Sequence, residues 1–207
     1  MSKNKKNIIF FMPSIESGGV EKNLFIIANY LCKKISNLKI CSLSINKKKK
    51  FNKKIKFLTP STKIPKNVNI RIKYLICLYV LLKFLLNNRN TVVFTFQANI
   101  YCVLLCKLLN VKVIVRSNSS PSGWDHNFIK KFIYKLIMMK ADKIIVNSLE
   151  FQKQMKKKLN LKTQCIFNPF DISKMLKKSK IIKKELFFKE KKIIKLINIG
   201  RFTDQKD

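Results

Sequence analysis

One histidine, one tryptophan, four glycines and ten acidic residues are all that this chain of 207 residues contains of those kinds. Each scarcity closes a route. His126 is the only histidine, which excludes a histidine-based zinc site. The four glycines form neither GxGxxG nor a loop ending in GK[ST], so no dinucleotide fingerprint and no P-loop is present. No GxSxG follows any apolar run, which argues against a hydrolase with a nucleophile elbow. The six cysteines contain no CxxC pair and mostly sit inside apolar runs, so they read as reduced core residues of a cytosolic protein. Long apolar runs are absent as well. Tyr74 to Leu82 reaches Leu86 only through Lys83, short of the roughly 18 to 20 residues that cross a bilayer. The apolar run before Pro13 is too short for the core of a signal peptide.

Basic residues are plentiful, with 45 lysines and arginines and a net charge of +35. Such charge invites an anionic partner, nucleic acid or membrane. Only four of the 45 are arginine, however, and the chain is crowded with Lys, Asn, Ile and Phe, all served by AT-rich codons. Lysine is the weaker choice for bidentate recognition of phosphate or guanine. The surplus charge favours anionic lipid surfaces over specific nucleic-acid readout. A hydrophobic fraction of 47% is ample for a core.

Apolar runs of strand length alternate with longer runs at helical period. Strands are expected at Ile8–Met12, Lys39–Ile45, Ile55–Leu58, Thr91–Phe96, Val111–Val115, Ile144–Asn147 and Thr163–Phe167. Helices are expected at Val20–Ile35, Ile72–Leu86, Ile100–Leu109, Asn127–Lys140 and Leu149–Leu159, the last capped by Ser148. In the first helix Leu24, Ile27, Ala28 and Leu31 share one face. Lys47 to Lys56 reads as a solvated loop. Continuous apolar strands separated by helices predict an α/β domain, a doubly wound Rossmann-like parallel sheet, over residues 1–172. A charged connector (173–192) leads to a further strand and turn (193–207).

Ligands of such sheets sit beyond the carboxyl ends of the strands. There the first loop carries Gly18 and Gly19 at a helix entry, either a tight turn or a bare approach for an anion to helix N–H groups. Glu21 follows within the first turn. Gln97 and Asn99 lie after the fourth strand, and Ser117, Asn118 and Ser119 after the fifth. Their amides and hydroxyls suit sugar or phosphate oxygens, and equally suit capping of the next helices.

SGGVEKNLFIIANYL (Ser17 to Leu31), ADKIIVNSLEFQKQM (Ala141 to Met155), CIFNPFD (Cys165 to Asp171) and NIGRFTDQKD (Asn198 to Asp207) together resemble the family 4 glycosyltransferases of the GT-B fold. The resemblance spans nearly the whole chain and about half of a typical member. It implies the N-terminal, acceptor-side half of a retaining enzyme that moves a sugar from a nucleotide-sugar to a glycan or lipid-linked acceptor in surface polysaccharide or lipopolysaccharide synthesis. Gly18 and Gly19 then look like the loop against the donor diphosphate, and Arg201 and Lys206 like its cations. Such cations stabilise the leaving diphosphate with no metal and no cofactor. Acceptor-side candidates are Glu21, Gln97, Asn99 and Ser119. Many relatives place a histidine where this chain has Asn118, so a direct catalytic role there departs from the family pattern. The paired-glutamate motif of the C-terminal domain has no counterpart, so the chain by itself is expected to be inactive.

Two other readings compete. In one, the chain is the acceptor-binding subunit of a two-chain transferase whose donor domain is a separate subunit. In the other it is a basic nucleic-acid-binding module, which would need exposed aromatics for stacking. Phe10, Phe11, Phe94 and Phe96 lie instead in runs that read as buried. The expected location is cytoplasmic, peripheral on the inner membrane face, with the Tyr74–Leu86 helix serving as core or as a docking element.

Overall fold

The computed structural model describes residues 7–15, 18–43, 45–61, 64–65, 68–118 and 128–179. Runs of Ile, Val and Phe extend because β-branched and aromatic side chains fit a pleated surface. They form seven strands: β1 (Asn7–Phe11), β2 (Leu38–Cys41), β3 (Lys56–Leu58), β4 (Thr91–Thr95), β5 (Lys112–Arg116), β6 (Lys143–Val146) and β7 (Gln164–Cys165). Every neighbouring pair is parallel, in the order β3-β2-β1-β4-β5-β6-β7. The direction of winding reverses between β1 and β4, where Ile8 faces Val92 and Phe10 faces Phe94. This is the doubly wound Rossmann-like sheet that the sequence predicts.

The helices are α1 (Gly19–Leu31), α2 (Ile70–Leu86), α3 (Asn99–Leu108), α4 (Phe128–Met138) and α5 (Leu149–Leu159). Alternation along the strands divides the core between the two faces of the sheet. On one face Ile9, Phe11, Val93, Val113 and Val115 pack with residues of α2, α3, α4 and α5. On the other, Phe10, Ile40, Phe94 and Phe96 meet α1 through Leu24 and Ala28, while Phe51 and Ile55 arrive from the lysine-rich segment before β3. Phe10 and Phe94 pack edge to face with ring centres 5.3 Å apart. Phe10, Phe11, Phe94 and Phe96 are buried, as expected, so they offer no stacking platform to a nucleic acid.

Several boundaries differ from the sequence expectation, each for a local reason. Helix α1 stops at Leu31, not Ile35, where the bonds tighten to three-residue spacing, Lys33 N to the Tyr30 carbonyl and Lys34 N to the Leu31 carbonyl. Helix α2 begins at Ile70, since the Asn69 side chain accepts from Arg71 N at 3.0 Å. Strand β2 ends at Cys41, not Ile45, where its partner β1 ends and Leu43 N turns to the Pro13 carbonyl. The lysine segment expected as loop contains a 3₁₀ turn over Ile45–Lys50. Strand β7 is two residues long because β6 offers only Ile145 and Val146 as partners. Ser148 caps α5 as expected, accepting from Phe151 N at 3.1 Å.

Cys32, Cys41, Cys77, Cys102 and Cys106 are buried free thiols. Burial and the Cys106 hydrogen bond hold the Cys102 thiol well above its usual pKa, so it stays a protonated apolar filler. Contacts divide the chain into two units, Met1–Phe170 and Asp171–Asp207. The second, read from sequence as opening with a charged connector, contains helix α6 (Ile172–Ser179). Expectations for 193–207 lie outside the described residues. Among the described residues no helix is long and apolar enough to cross a membrane.

Candidate functional site

The loops after β1, β4 and β5 meet at the point where the winding reverses. Amide side chains join them. Ser14 N donates to Gln97 Oε1 at 3.1 Å. Asn99 Nδ2 donates to the Arg116 carbonyl at 3.2 Å, and Asn118 Nδ2 to the Phe96 carbonyl at 3.1 Å. The Thr95 hydroxyl lies 2.8 Å from the Gln97 carbonyl and 3.0 Å from Asn99 Oδ1. These bonds hold Ala98 in left-handed backbone, φ 52°, at the entry to α3. For a residue with a Cβ that conformation costs on the order of 1–2 kcal/mol. Strain of this kind persists only where surrounding contacts impose it.

A pocket of about 350 Å³ opens above these bonds, at the lower end of the range for small-ligand sites. Its polar wall is Gln97, Asn99, Ser117 and Asn118; its apolar wall includes Tyr101, Tyr134 and Val20. The sequence left two roles open for the amides, and the structure divides the roles atom by atom. Asn99 is spent on the scaffold. Gln97 and Asn118 each use one end to tie loops together, leaving Gln97 Nε2 and Asn118 Oδ1 without a hydrogen bond among the described residues. One free donor and one free acceptor beside an aromatic wall is an arrangement that recognises hydroxyl groups.

Tyr134 comes from α4 and is nearly buried. Burial raises its phenol pKa and a hydrogen bond from the Ser117 side chain opposes that rise, so the ring keeps its proton at neutral pH. Sequence reasoning missed Tyr134, Tyr101 and Ala98. The tyrosines are ordinary members of apolar helical runs, and nothing in the sequence sets them apart.

Arg116 was also missed, although a cation closing an apolar strand is a readable signal. Its side chain is 1% exposed, and Nη2 donates to Asn168 Oδ1 at 2.7 Å and to the Ile166 carbonyl at 3.3 Å. Asn168 Oδ1 also accepts from Asn23 Nδ2 at 2.8 Å, so one oxygen links β5, α1 and the loop after β7. Burial lowers the pKa of Arg116, and Cys165 works the other way. Its acceptors are neutral and its Nε is buried without a partner. This guanidinium lies under the loops as a structural tie.

Gly18 precedes α1 in extended backbone, φ −173°, and no described glycine has a positive φ. The tight turn that is one of the two readings of this pair falls on residues 16–17, outside the described residues. What the two glycines leave is a helix start with no side-chain cap of its own. Gly18 makes no side-chain cap, and a Cβ on Gly19 would meet nothing within 4 Å. Glu21 folds back toward this end, its Oε2 2.7 Å from where a Cβ of Gly18 would lie. An acidic side chain there complements the helix dipole in the place an anion would occupy. Ser119, Arg201 and Lys206 lie outside the described residues. Among those described, no group of His, Cys, Asp or Glu could hold a metal ion.

No family model and no curated protein matches the sequence. Solved structures do match in fold. HepE of Anabaena, in complex with UDP and glucose, aligns with a TM-score of 0.59 at 14% identity over 81% of this chain and 46% of that one. A ugt transferase from Siraitia grosvenorii, in complex with UDP, aligns with a TM-score of 0.51 at 10% identity, over 85% and 55%. The chain thus spans about half the length of the structures it resembles. At these identities the likeness is one of fold.

Proposed function

We propose that this chain is the acceptor-binding part of a retaining, family 4 glycosyltransferase that uses a nucleotide-sugar donor in surface glycan synthesis. The observation that carries the reading is the pocket at the winding reversal, where Gln97 Nε2 and Asn118 Oδ1, without a hydrogen bond among the described residues, stand beside Tyr101 and Tyr134. Support also comes from the fold shared with HepE, a protein solved with UDP and glucose bound. The acceptor hydroxyl attacks the anomeric carbon from the face the diphosphate leaves. The bond to the diphosphate breaks, the diphosphate keeps the electron pair, and its departing oxygen takes the hydroxyl proton. In this reading Arg201 and Lys206 neutralise the charge of the diphosphate without a metal, and Glu21 swings away from the start of α1 as the diphosphate approaches Gly18 and Gly19. Donor binding is completed by a second domain, on the same protein or on a partner subunit.

Saturation-transfer NMR of the chain with a panel of hexopyranosides tests the acceptor half of this reading. Gln97→Glu keeps the oxygen that accepts from Ser14 N and removes the free donor, so glycoside affinity should fall on the order of tenfold with the fold intact. Absence of any glycoside signal with the unchanged chain would overturn the assignment. Tight UDP binding without glycoside binding would move the pocket to the donor side.

A further inference from the structure

Helix α4 is mounted with its apolar face outward. Phe128, Ile129, Phe132, Ile133, Leu136 and Met139 of this helix and its C-terminal turn are all exposed, from 46% at Leu136 to 80% at Phe128. At 100° per residue these side chains span one sector of about 140°. The opposite side supplies Tyr134 and Met138 to the core. Lys135 borders the sector on one side, Lys140 of the same C-terminal turn falls within it, and no carboxylate lies between Asp125 and Asp142 in the sequence. On α3, which packs beside α4, Tyr101, Leu104 and Leu108 are exposed as well. Soluble proteins do not leave such a stripe to water without a use for it.

We infer that α4 docks on an anionic lipid bilayer, its six apolar side chains entering the headgroup boundary and its lysines resting among the lipid phosphates. Charge selects this occupant. A second copy would bring lysine-rimmed helices of a chain of net charge +35 against each other. An interfacial helix, in contrast, pairs an apolar face with basic flanks, and lysine stems extend outward to the headgroups. Tyr134 projects from the same helix into the pocket wall, so docking places the pocket about one helix diameter from the lipid surface. That placement would suit a lipid-linked acceptor, a consequence that rests on the transferase reading.

The test is cosedimentation with sucrose-loaded vesicles of phosphatidylcholine, alone or mixed with phosphatidylglycerol. The chain should bind the anionic vesicles on the order of tenfold more tightly than the neutral ones. Phe128→Ser/Phe132→Ser/Leu136→Ser should weaken anionic binding on the order of tenfold or more. Tyr30→Ser, an equally exposed aromatic on α1, should leave it unchanged. Circular dichroism checks the fold, and Phe128→Ser alone gives a smaller loss if the triple variant does not fold. Equal binding by the triple variant, with full release in salt, would reduce the interaction to diffuse lysine attraction and overturn the inference. A dimer in light scattering that the triple variant abolishes, with no vesicle binding, would assign the face to a second copy and also overturn it. No sugar transfer is read, so failure here leaves the transferase reading standing.

Discussion

Helices α1 and α4 are both amphipathic, and they are mounted the opposite way round. Helix α1 turns Leu24 and Ala28 inward at zero exposure and sets Lys22 toward water. It lies over the face where Phe10, Phe94 and Phe96 interlock. Helix α4 gives the core Tyr134 and Met138, and its phenylalanines face solvent. Period reveals that a helix has an apolar face; it does not reveal which way that face points. Position in the fold decides. One helix must cover much of the aromatic side of the sheet, so its apolar stripe is committed. On the other side α2, α3 and α5 share the covering, which frees most of α4.

Helix α4 is held instead from its C-terminal end. Ala141 N bonds the Met138 carbonyl, Asp142 N bonds the Val113 carbonyl, and Asp142 Oδ2 accepts from Val113 N at 2.8 Å and from Lys107 Nζ at 2.6 Å. The contrast is thus between a helix fixed by apolar burial and one fixed by few core residues and a polar pin.

The largest expected effect lies on α1. Leu24→Ala should cost about 2–5 kcal/mol in urea unfolding through the lost transfer energy and the cavity left behind. A loss below about 1 kcal/mol would break the claim that α1 is fixed by its inward stripe. Next comes the pin. Asp142→Ala removes the acceptor of Val113 N and the partner of Lys107, and should cost about 1 kcal/mol, modest because the carboxylate is partly exposed. Burial raises the pKa of Asp142, but the Lys107 and Val113 hydrogen bonds outweigh it and leave the carboxyl below its usual value. Its contribution is therefore complete above the usual carboxylate range and disappears as pH falls through the lowered folded-state pKa. Unfolding of the chain and of Asp142→Ala at pH 7, 5 and 3 should give curves that converge in acid; a constant gap would exclude a role for the charge. The smallest effect is on the outer face of α4. Leu136→Ser should change stability by no more than about 0.5 kcal/mol. A loss like that of Leu24→Ala would show that the stripe is packed in the folded chain.

Most of the fold was legible because strand-length apolar runs alternate with helical ones. Every strand and helix expected within the described residues occurs. The errors fall at ends where a partner strand stops or a side chain such as Asn69 caps early, and at α6, a helix where a connector was expected. The site was legible by position only. Gln97, Asn99 and Asn118 could be picked as polar residues at strand ends, yet their division into tied and free atoms depends on Ser14, Phe96 and Arg116, residues distant in sequence. The buried amide and guanidinium contacts of Asn168 span 145 and 52 positions and leave no local pattern. Gly18 and Gly19 were legible as the entry to a helix, and α1 does begin at Gly19.

The centre of the sheet also sets an order of events during synthesis. Strand β1 pairs with β4, and the Ser14–Gln97 bond closes a separation of 83 residues. At about 5–20 residues per second, Phe10 and Phe11 leave the ribosome several seconds before Phe94 can meet them. Through that interval the nascent chain holds its most apolar strand open on one edge, a state that chaperones shield and crowding punishes. Parallel pairing across such separations folds slowly once the chain is released. Slow translation across the lysine-rich stretch before β3 would lengthen that exposure, which makes the speed of synthesis a determinant of how much of this protein reaches its native form.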